Sequence, residues 1–394
     1  MGTEAGRAPV AARRRELDTL RVLVVLGLVF FHAALVFSPD DDFYVKNADT
    51  SEAVTVLSGL GVVWAMPVLF LAAGLGTRHS LGRRGPGGFA RERLLRLGVP
   101  LVATTLVLLP LPQWLRLRAV GEHVPYPDFW GRFLSVRLDL ADFPFVLDGR
   151  YFETGHLWFV VLLLAFGLLL APVAAPLARG AEPLARAAGR HPALLLLPAL
   201  PLAALNAVLL MEEGLAGWNR WAYLVFFLYG YALADDGRVR AATRRLARPA
   251  GVLGLVLFAA TAPGFMTLDE PFTGRTAFAV LTRALFGAAG WCWVLAITGL
   301  LDRPGTRTPG PRSARVRAYL AGAALPVYLL HQPVVVAFAY GVVGWPAPVP
   351  VKYTAIVAGS LAVVFAVYEC AVRRLRVTRF LLGMRAGSAP EPAR

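Results

Sequence analysis

Two residues of an apolar segment near the N-terminus have side chains suited to chemistry. Arg21 begins the segment "RVLVVLGLVFFHA", and His32 lies within it. On a helix, their spacing makes their directions differ by only about 20° and their depths by about 16 Å. A neutral imidazole takes up a proton near neutral pH, and a guanidinium binds phosphate oxygens. One helix face therefore carries both a candidate base and a candidate anion contact.

Each of these two residues also has a simpler interpretation. Arg21 is typical of a basic anchor at the end of a membrane span, and His32 of a hydrogen bond between packed helices. Ionisable side chains are costly at membrane depth, and this cost makes both of them functional candidates.

A second histidine, His331, lies in "LPVYLLHQPVVV" between Pro326 and Pro333. Each proline lacks an N–H, so it leaves a helix carbonyl that must face protein or water. This favours His331 as a cavity-lining residue that helps catalysis, for instance by stabilising an oxyanion. A plain helix-packing contact remains the alternative.

A third histidine, His156, precedes the apolar run of "YFETGHLWFVVLLL". With Glu153 and Trp158 it forms a candidate substrate-binding group at the end of a span. The alternatives are a helix cap for His156 and Glu153, and an interfacial aromatic belt for Trp158.

Arginines recur in "TRHSLGRRGPGGFARERLLRLGVPL". Arg93 and Arg96 are three residues apart and share a helix face, with Arg91 nearby. Planar guanidinium groups hold phosphates well, so these three residues are candidates for binding a phosphorylated cofactor. The alternative is again a membrane-orientation signal. Four glycines in this segment predict a loose turn that matches no nucleotide-binding motif; they are Gly82, Gly85, Gly87 and Gly88. No metal-ligand spacing occurs either, so we expect no metal.

The elements that position these residues are apolar spans. The chain has 394 residues and is 57% hydrophobic, a composition typical of a polytopic membrane protein. We predict an all-α bundle of about ten transmembrane helices, each long enough to cross the hydrocarbon core. The predicted spans are Thr19–Val36, Ala53–Leu75, Leu97–Leu115, Gly155–Ala171, Pro192–Leu210, Trp221–Ala234, Ala250–Phe265, Thr276–Leu301, Ala318–Val343 and Tyr353–Val372.

The basic residues predict the orientation of this bundle. The N-terminal segment, alternate loops and the C-terminal tail together hold 30 of the 40 Lys and Arg residues. By the positive-inside rule, both termini are then cytoplasmic. The predicted organisation is a cytoplasmic segment (1–18), a membrane domain (19–372) and a basic tail (373–394). The net charge of +15 is explained by this pattern, so nucleic acid is not an expected partner.

Several segments, in this order, resemble the acyltransferase-3 family of bacterial membrane acyltransferases, and within it the glucan succinyltransferase-like branch. They are the Arg-x10-His pattern of Arg21 and His32, "MPVLFLAAGL", the Arg-x-x-Arg pattern of "RERLLRLGVPL", "HLWFV" and "PVYLLHQPV". The resemblance covers essentially the whole chain. It implies a ten-helix enzyme of the bacterial inner membrane that moves an acyl group from cytoplasmic acyl-CoA to a hydroxyl outside the membrane, commonly on a carbohydrate.

The resemblance also implies roles for individual residues. His32 would be the catalytic base, and Arg21, Arg93 and Arg96 would bind the acyl-CoA donor. Two other classes of function remain open: a multi-span transporter or flippase for a glycan or glycolipid, and a structural assembly factor. A transporter predicts inverted repeats with matching Gly and Pro breaks, and we find no such repeats in the sequence.

Overall fold

The long apolar runs of the sequence form helices in the computed structural model, which describes residues 15–39, 42–233, 236–302 and 310–384. The helices in the first half are α1 (Arg15–Leu35), α2 (Glu52–Val62), α3 (Ala65–Arg93), α4 (Val99–Val107), α5 (Pro110–Ala119), α6 (Tyr126–Phe133), α7 (Trp158–Leu170) and α8 (Ala174–Arg190). Those in the second half are α9 (Ala199–Val208), α10 (Arg220–Leu233), α11 (Gly237–Thr267), α12 (Ala277–Leu301), α13 (Pro311–Val342), α14 (Val349–Val367) and α15 (Arg376–Leu381). The described strands are β1 (Arg137–Leu138) and β2 (Leu147–Asp148), which pair antiparallel.

Six helical segments of the described chain are long and apolar enough to cross a membrane, or up to seven if a bent pair counts as one span. One of them, Glu52–Ala119, runs for 68 residues. At 1.5 Å per residue this is about 100 Å of helix, enough for more than one crossing of a hydrocarbon core about 30 Å thick. The all-α membrane architecture is thus confirmed. Each predicted span falls largely on helical residues, with Ala234 outside the described residues. The predicted terminal segments 1–18 and 373–394 lie partly outside them too, and the count of ten and the cytoplasmic position of the termini remain predictions.

The loose turn predicted around the glycines of residues 77–96 is wrong except at one position. Helix α3 continues to Arg93 and is broken only at Gly85, whose φ and ψ are 68° and 172°. Pro86 follows, and a residue before proline is driven out of the helical region. Glycine alone tolerates the positive φ. The result is two helical arms that meet at a sharp kink.

Glycines also allow α3 and α10 to pack closely. A Cβ on Gly74 would lie 2.8 Å from the backbone nitrogen of Tyr231, and one on Gly230 would lie 2.7 Å from the carbonyl carbon of Leu71. These helices therefore meet backbone to backbone, which fixes α3 firmly within the bundle.

Helices α1, α13 and α14 enclose a separate apolar core around one end of α1. Val29, Val335 and Ile356 are fully buried there. Because α1 carries His32 and α13 carries His331, this packing sets the two histidines beside each other.

The long segment between α5 and α7 is folded rather than extended. It contains α6 and the β1–β2 pair, and Arg220 of α10 donates hydrogen bonds to the carbonyls of Asp142 and Phe143 within it. Its last residues lead directly into a 3-10 turn, Gly155–Leu157, that places His156.

Candidate functional site

Three histidines from distant parts of the chain meet inside the bundle. The ring centroids of His32 and His331 are 5.1 Å apart, and those of His331 and His156 are 5.0 Å apart. His331 is fully buried, His156 is 4% exposed, and His32 is half-buried. His331 is thus the middle ring, and His32 is the ring with access to surroundings outside the cluster.

Three residues of helix α13 form hydrogen bonds with His156. Pro333 has no N–H, so the carbonyl of Leu329 loses its normal helical donor. The Nε2 of His156 lies 3.2 Å from that carbonyl oxygen and replaces the donor. The backbone N–H of His156 donates to Oε1 of Gln332 at 2.8 Å, and the hydroxyl of Tyr328 donates to the carbonyl of His156. The carbonyl freed by a proline, predicted from the sequence, therefore positions a histidine.

These contacts also define which nitrogen of each ring carries hydrogen. The Nδ1 of His331 lies 2.6 Å from the carbonyl oxygen of Tyr328. A carbonyl only accepts, so Nδ1 of His331 and Nε2 of His156 are the N–H groups. The other nitrogens, Nε2 of His331 and Nδ1 of His156, carry lone pairs and have no hydrogen-bond partner, and neither does the buried Nδ1 of His32. A buried polar atom without a partner costs about 1–3 kcal/mol, an imbalance typical of functional sites.

The loop between α1 and α2, described for residues 36–39 and 42–51, covers the cluster. Phe43 stacks on His32 with ring centroids 5.9 Å apart, and the neighbouring Tyr44 donates its hydroxyl hydrogen to Glu153. The acidic sequence of this loop, "SPDDDFYVKNADTSE", is equally compatible with a solvated loop and with a functional one. In the structure, it is a packed lid over His32.

Both lysines of the chain fasten this lid. Lys46 donates to the carbonyl of Leu35 at 3.0 Å, and Lys352 donates to Oδ1 of Asn47 at 2.9 Å and to the carbonyl of Val343 at 2.7 Å. The rarity of lysine in an arginine-rich chain was a signal that these positions are special. Their hydrogen-bond acceptors could not be predicted from a local sequence pattern, because they are backbone carbonyls or residues far away in the sequence.

Glu153 lies at the border of this lid rather than on a solvated surface. It is half-buried, and withdrawal from water raises the pKa of its carboxyl. Burial together with the adjacent Glu153 raises the pKa of Tyr44 well above its ordinary value. Arg116 also approaches this group and pairs with Asp42 of the lid. The result is a polar border beside His156, made of a carboxyl, a phenol and an ion pair.

Trp158 belongs to a different environment. It is 8% exposed and its ring stacks on Tyr223 and Phe70, with centroids 5.2 and 6.3 Å away. Its position favours a packing role in the aromatic core over an interfacial belt. Its assignment to substrate binding remains a prediction.

Of the predicted donor-binding arginines, Arg21 lies on α1 with His32, and the other three lie at or just after the end of α3. Arg93 donates to the hydroxyl of Thr77 at 2.9 Å and lies over the ring of Phe89 at 4.9 Å. Its Nε is buried without a hydrogen-bond partner. Arg91 is exposed. Arg21 is 44% exposed and lies 3.6 Å from Asp18, one turn earlier on α1.

Glu92 organises the arginines around the kink of α3, a role that sequence reasoning missed. Its carboxylate lies 3.3 Å from Arg84 and 3.6 Å from Arg96, and it accepts a hydrogen bond from Ser80 at 3.0 Å. Ser80 and Arg84 precede Gly85, so Glu92 joins the two arms across the kink. The signal was present in the alternation of acid and base in "RERLLR", which we interpreted through its arginines alone.

The structure thus brings together His32, His156 and His331, with Glu153 beside the lid that covers them. Within the described ranges, no group of three or more His, Cys, Asp or Glu residues is placed to hold a metal ion. Three imidazoles, two of them with one ring N–H held by a backbone carbonyl, form the candidate site.

Comparison with known proteins gives one match. A family model described as an acyltransferase domain, that of the acyltransferase-3 family, matches residues 14–369. No curated protein and no solved structure matches the chain.

Proposed function

Because the chain belongs to the acyltransferase-3 family, we propose that it moves an acyl group from cytoplasmic acyl-CoA to a hydroxyl group outside the bacterial inner membrane. The family and the apolar helices make it a membrane acyltransferase. The observation that carries the rest of the proposal is the meeting of His32 with His331 and His156 inside the bundle, at ring spacings of 5.1 and 5.0 Å.

His32 acts as the general base in this proposal. It takes the proton of the acceptor hydroxyl while that oxygen attacks the thioester carbonyl. The carbon–oxygen bond forms, the carbon–sulfur bond breaks, and the CoA thiolate receives the proton from His32. A neutral imidazole carries a lone pair that can take up the hydroxyl proton and pass it on, which suits this exchange. His32 is the half-buried ring of the three, so it is the one that a substrate reaches most directly.

The donor is proposed to bind through Arg21, Arg93 and Arg96, with Arg91 at the exposed edge. CoA carries several phosphates, and guanidinium groups bind phosphate oxygens with two parallel hydrogen bonds. The buried Nε of Arg93, which has no partner in the structure, is a donor available to such an oxygen. About 16 Å separates Arg21 from His32 along α1, a distance that the pantetheine arm would span.

The acceptor is proposed to be a carbohydrate that enters beside the lid. Glu153, Tyr44 and Arg116 offer the carboxyl, phenol and guanidinium groups that bind sugar hydroxyls, and His156 lies next to them. The resemblance to the glucan succinyltransferase-like branch suggests a succinyl group, and acetyl is the second choice.

The test is acyl transfer by the purified protein in proteoliposomes. Radiolabelled succinyl-CoA and acetyl-CoA serve as donors, and a linear glucan serves as acceptor. Wild type should label the glucan, and His32→Ala should reduce labelling by at least about 100-fold. His191→Ala is the matched control, because His191 is exposed and outside the cluster. Undiminished labelling with His32→Ala would overturn the base assignment, and no labelling from either donor with wild type would overturn the proposed substrates.

A further inference from the structure

Among the described residues, no group donates a hydrogen bond to the lone pair on Nε2 of His331. The ring is fully buried, and its Nδ1–H is committed to the carbonyl of Tyr328 at 2.6 Å. In this neutral form, His331 has no free N–H to offer a developing oxyanion, the role considered from the sequence. What it offers the cluster is a hydrogen-bond acceptor.

Three rings contact His331, and only one can satisfy that acceptor, because the hydroxyl of Tyr328 already donates to the carbonyl of His156. His156 uses its Nε2–H on the carbonyl of Leu329, so its Nδ1 is itself a lone pair and cannot donate. The remaining ring is His32, whose buried Nδ1 also lacks a partner. Ring centroids 5.1 Å apart allow a nitrogen–nitrogen hydrogen bond of about 3 Å once the two nitrogens face each other. A rotation of the His32 ring that turns its Nδ1 toward Nε2 of His331 would pair the two.

We propose that His331 is a positioning residue for His32: its Nε2 accepts a hydrogen bond from Nδ1–H of His32. This bond selects the tautomer of His32 that has its lone pair on Nε2. That nitrogen then takes the proton of the acceptor hydroxyl. During this proton transfer, the contact with the His156 ring and the hydrogen bond to the Tyr328 carbonyl hold the His331 ring in place. The inference rests on the proposed function for its catalytic meaning, but the hydrogen bond itself does not require that function.

Nitrogen NMR of the full chain in nanodiscs tests the hydrogen bond directly. With ¹⁵N-labelled histidine, long-range proton–nitrogen correlations report which ring nitrogen carries hydrogen, and His32→Gln identifies the His32 signals. Wild type should show His32 with hydrogen on Nδ1. His331→Met, which fills the space without accepting, should lose this preference, whereas His331→Gln, whose Oε1 accepts, should keep it. A wild-type His32 with hydrogen on Nε2, or equal tautomers in both variants, would overturn the inference.

Turnover provides the second measurement. We expect His331→Met to lower kcat roughly 100-fold with little change in KM. The kcat of His331→Gln should be at least about tenfold higher than that of His331→Met. A purely steric role predicts the opposite order, since Met suits a buried site better than Gln. The control for folding is a His156 that keeps its hydrogen on Nε2 in both variants, because the Leu329 carbonyl that fixes this tautomer does not depend on His331. If wild type transfers no acyl group, the proposed function fails while the tautomer result still decides the hydrogen bond.

Discussion

The Nε2 of His156 lies 3.2 Å from the carbonyl oxygen of Leu329, the carbonyl that Pro333 leaves without a helical donor. The two residues are 173 positions apart in the chain. The carbonyl that Pro333 frees on α13 is thus satisfied by a side chain from the 3-10 turn before α7. This contact fixes the tautomer of His156 and ties the turn to α13 beside His331.

Replacing Pro333 should loosen this arrangement. Pro333→Ala supplies an N–H that returns the Leu329 carbonyl to the helix, so it competes with His156 for the same acceptor. We expect thermal stability to stay level or rise, and turnover to fall by about tenfold as His156 is released. Parallel measurements of Tm and kcat on the purified protein check this. Pro326→Ala in the same helix is the control and should leave turnover near wild type; equal losses in both variants would contradict the argument.

Binding of the acyl-CoA donor should require the planar guanidinium group of Arg93 and not only its positive charge. Arg93→Lys keeps the positive charge but loses the Nη2 hydrogen bond to Thr77 and the contact with Phe89. An ammonium also cannot bind a phosphate through two parallel hydrogen bonds. We expect the KM for acyl-CoA to rise about tenfold or more, with kcat less affected.

The control for Arg93 is Arg83→Lys, an exposed arginine before the kink. Its KM should match wild type. A KM that is unchanged in Arg93→Lys, or raised equally in both variants, would remove Arg93 from the donor site.

The helices and the histidines were predictable from the sequence for different physical reasons. Hydropathy predicts the helical character of every span because membrane helices bury apolar side chains along their whole length. His32 and His331 stood out because imidazoles are rare at membrane depth. Their meeting could not be predicted, because it depends on how α1 and α13 pack, and no local pattern encodes a contact between distant helices.

The features that the sequence did not predict are contacts between residues far apart in the chain, or they depend on one residue among several of the same type. The role of Tyr44 depends on Glu153, 109 positions away, so the sequence of the loop alone did not separate a solvated acidic stretch from a functional one. Among the four glycines of the predicted turn, only Gly85 breaks the helix, because only it precedes a proline. The others are accommodated by a helix that tertiary packing supports, which overrides their low propensity.

The pH dependence of stability should report the burial of Glu153. Burial raises the pKa of this carboxyl above its ordinary value of 4.5, so the folded state binds the proton more tightly than the unfolded state. This contribution is fully present below 4.5 and is lost as the pH rises through the folded pKa. Wild type should therefore lose more thermal stability between acid and neutral pH than Glu153→Gln, which cannot ionise. Glu122→Gln, at an exposed position, should follow wild type; a Glu153→Gln profile as steep as wild type would contradict the assignment.

The close approach of α3 and α10 should make Gly230 sensitive to a single methyl group. A Cβ there would lie 2.7 Å from the carbonyl carbon of Leu71, and backbone cannot move aside as a flexible side chain would. We expect Gly230→Ala to destabilise the fold by about 1–3 kcal/mol, the usual cost of overpacking, measured as the shift of the unfolding midpoint in detergent. Gly27→Ala on α1 is the matched control, since nothing lies within 4 Å of its Cβ. Equal midpoints for the two variants would mean that α3 and α10 are held apart in the folded protein.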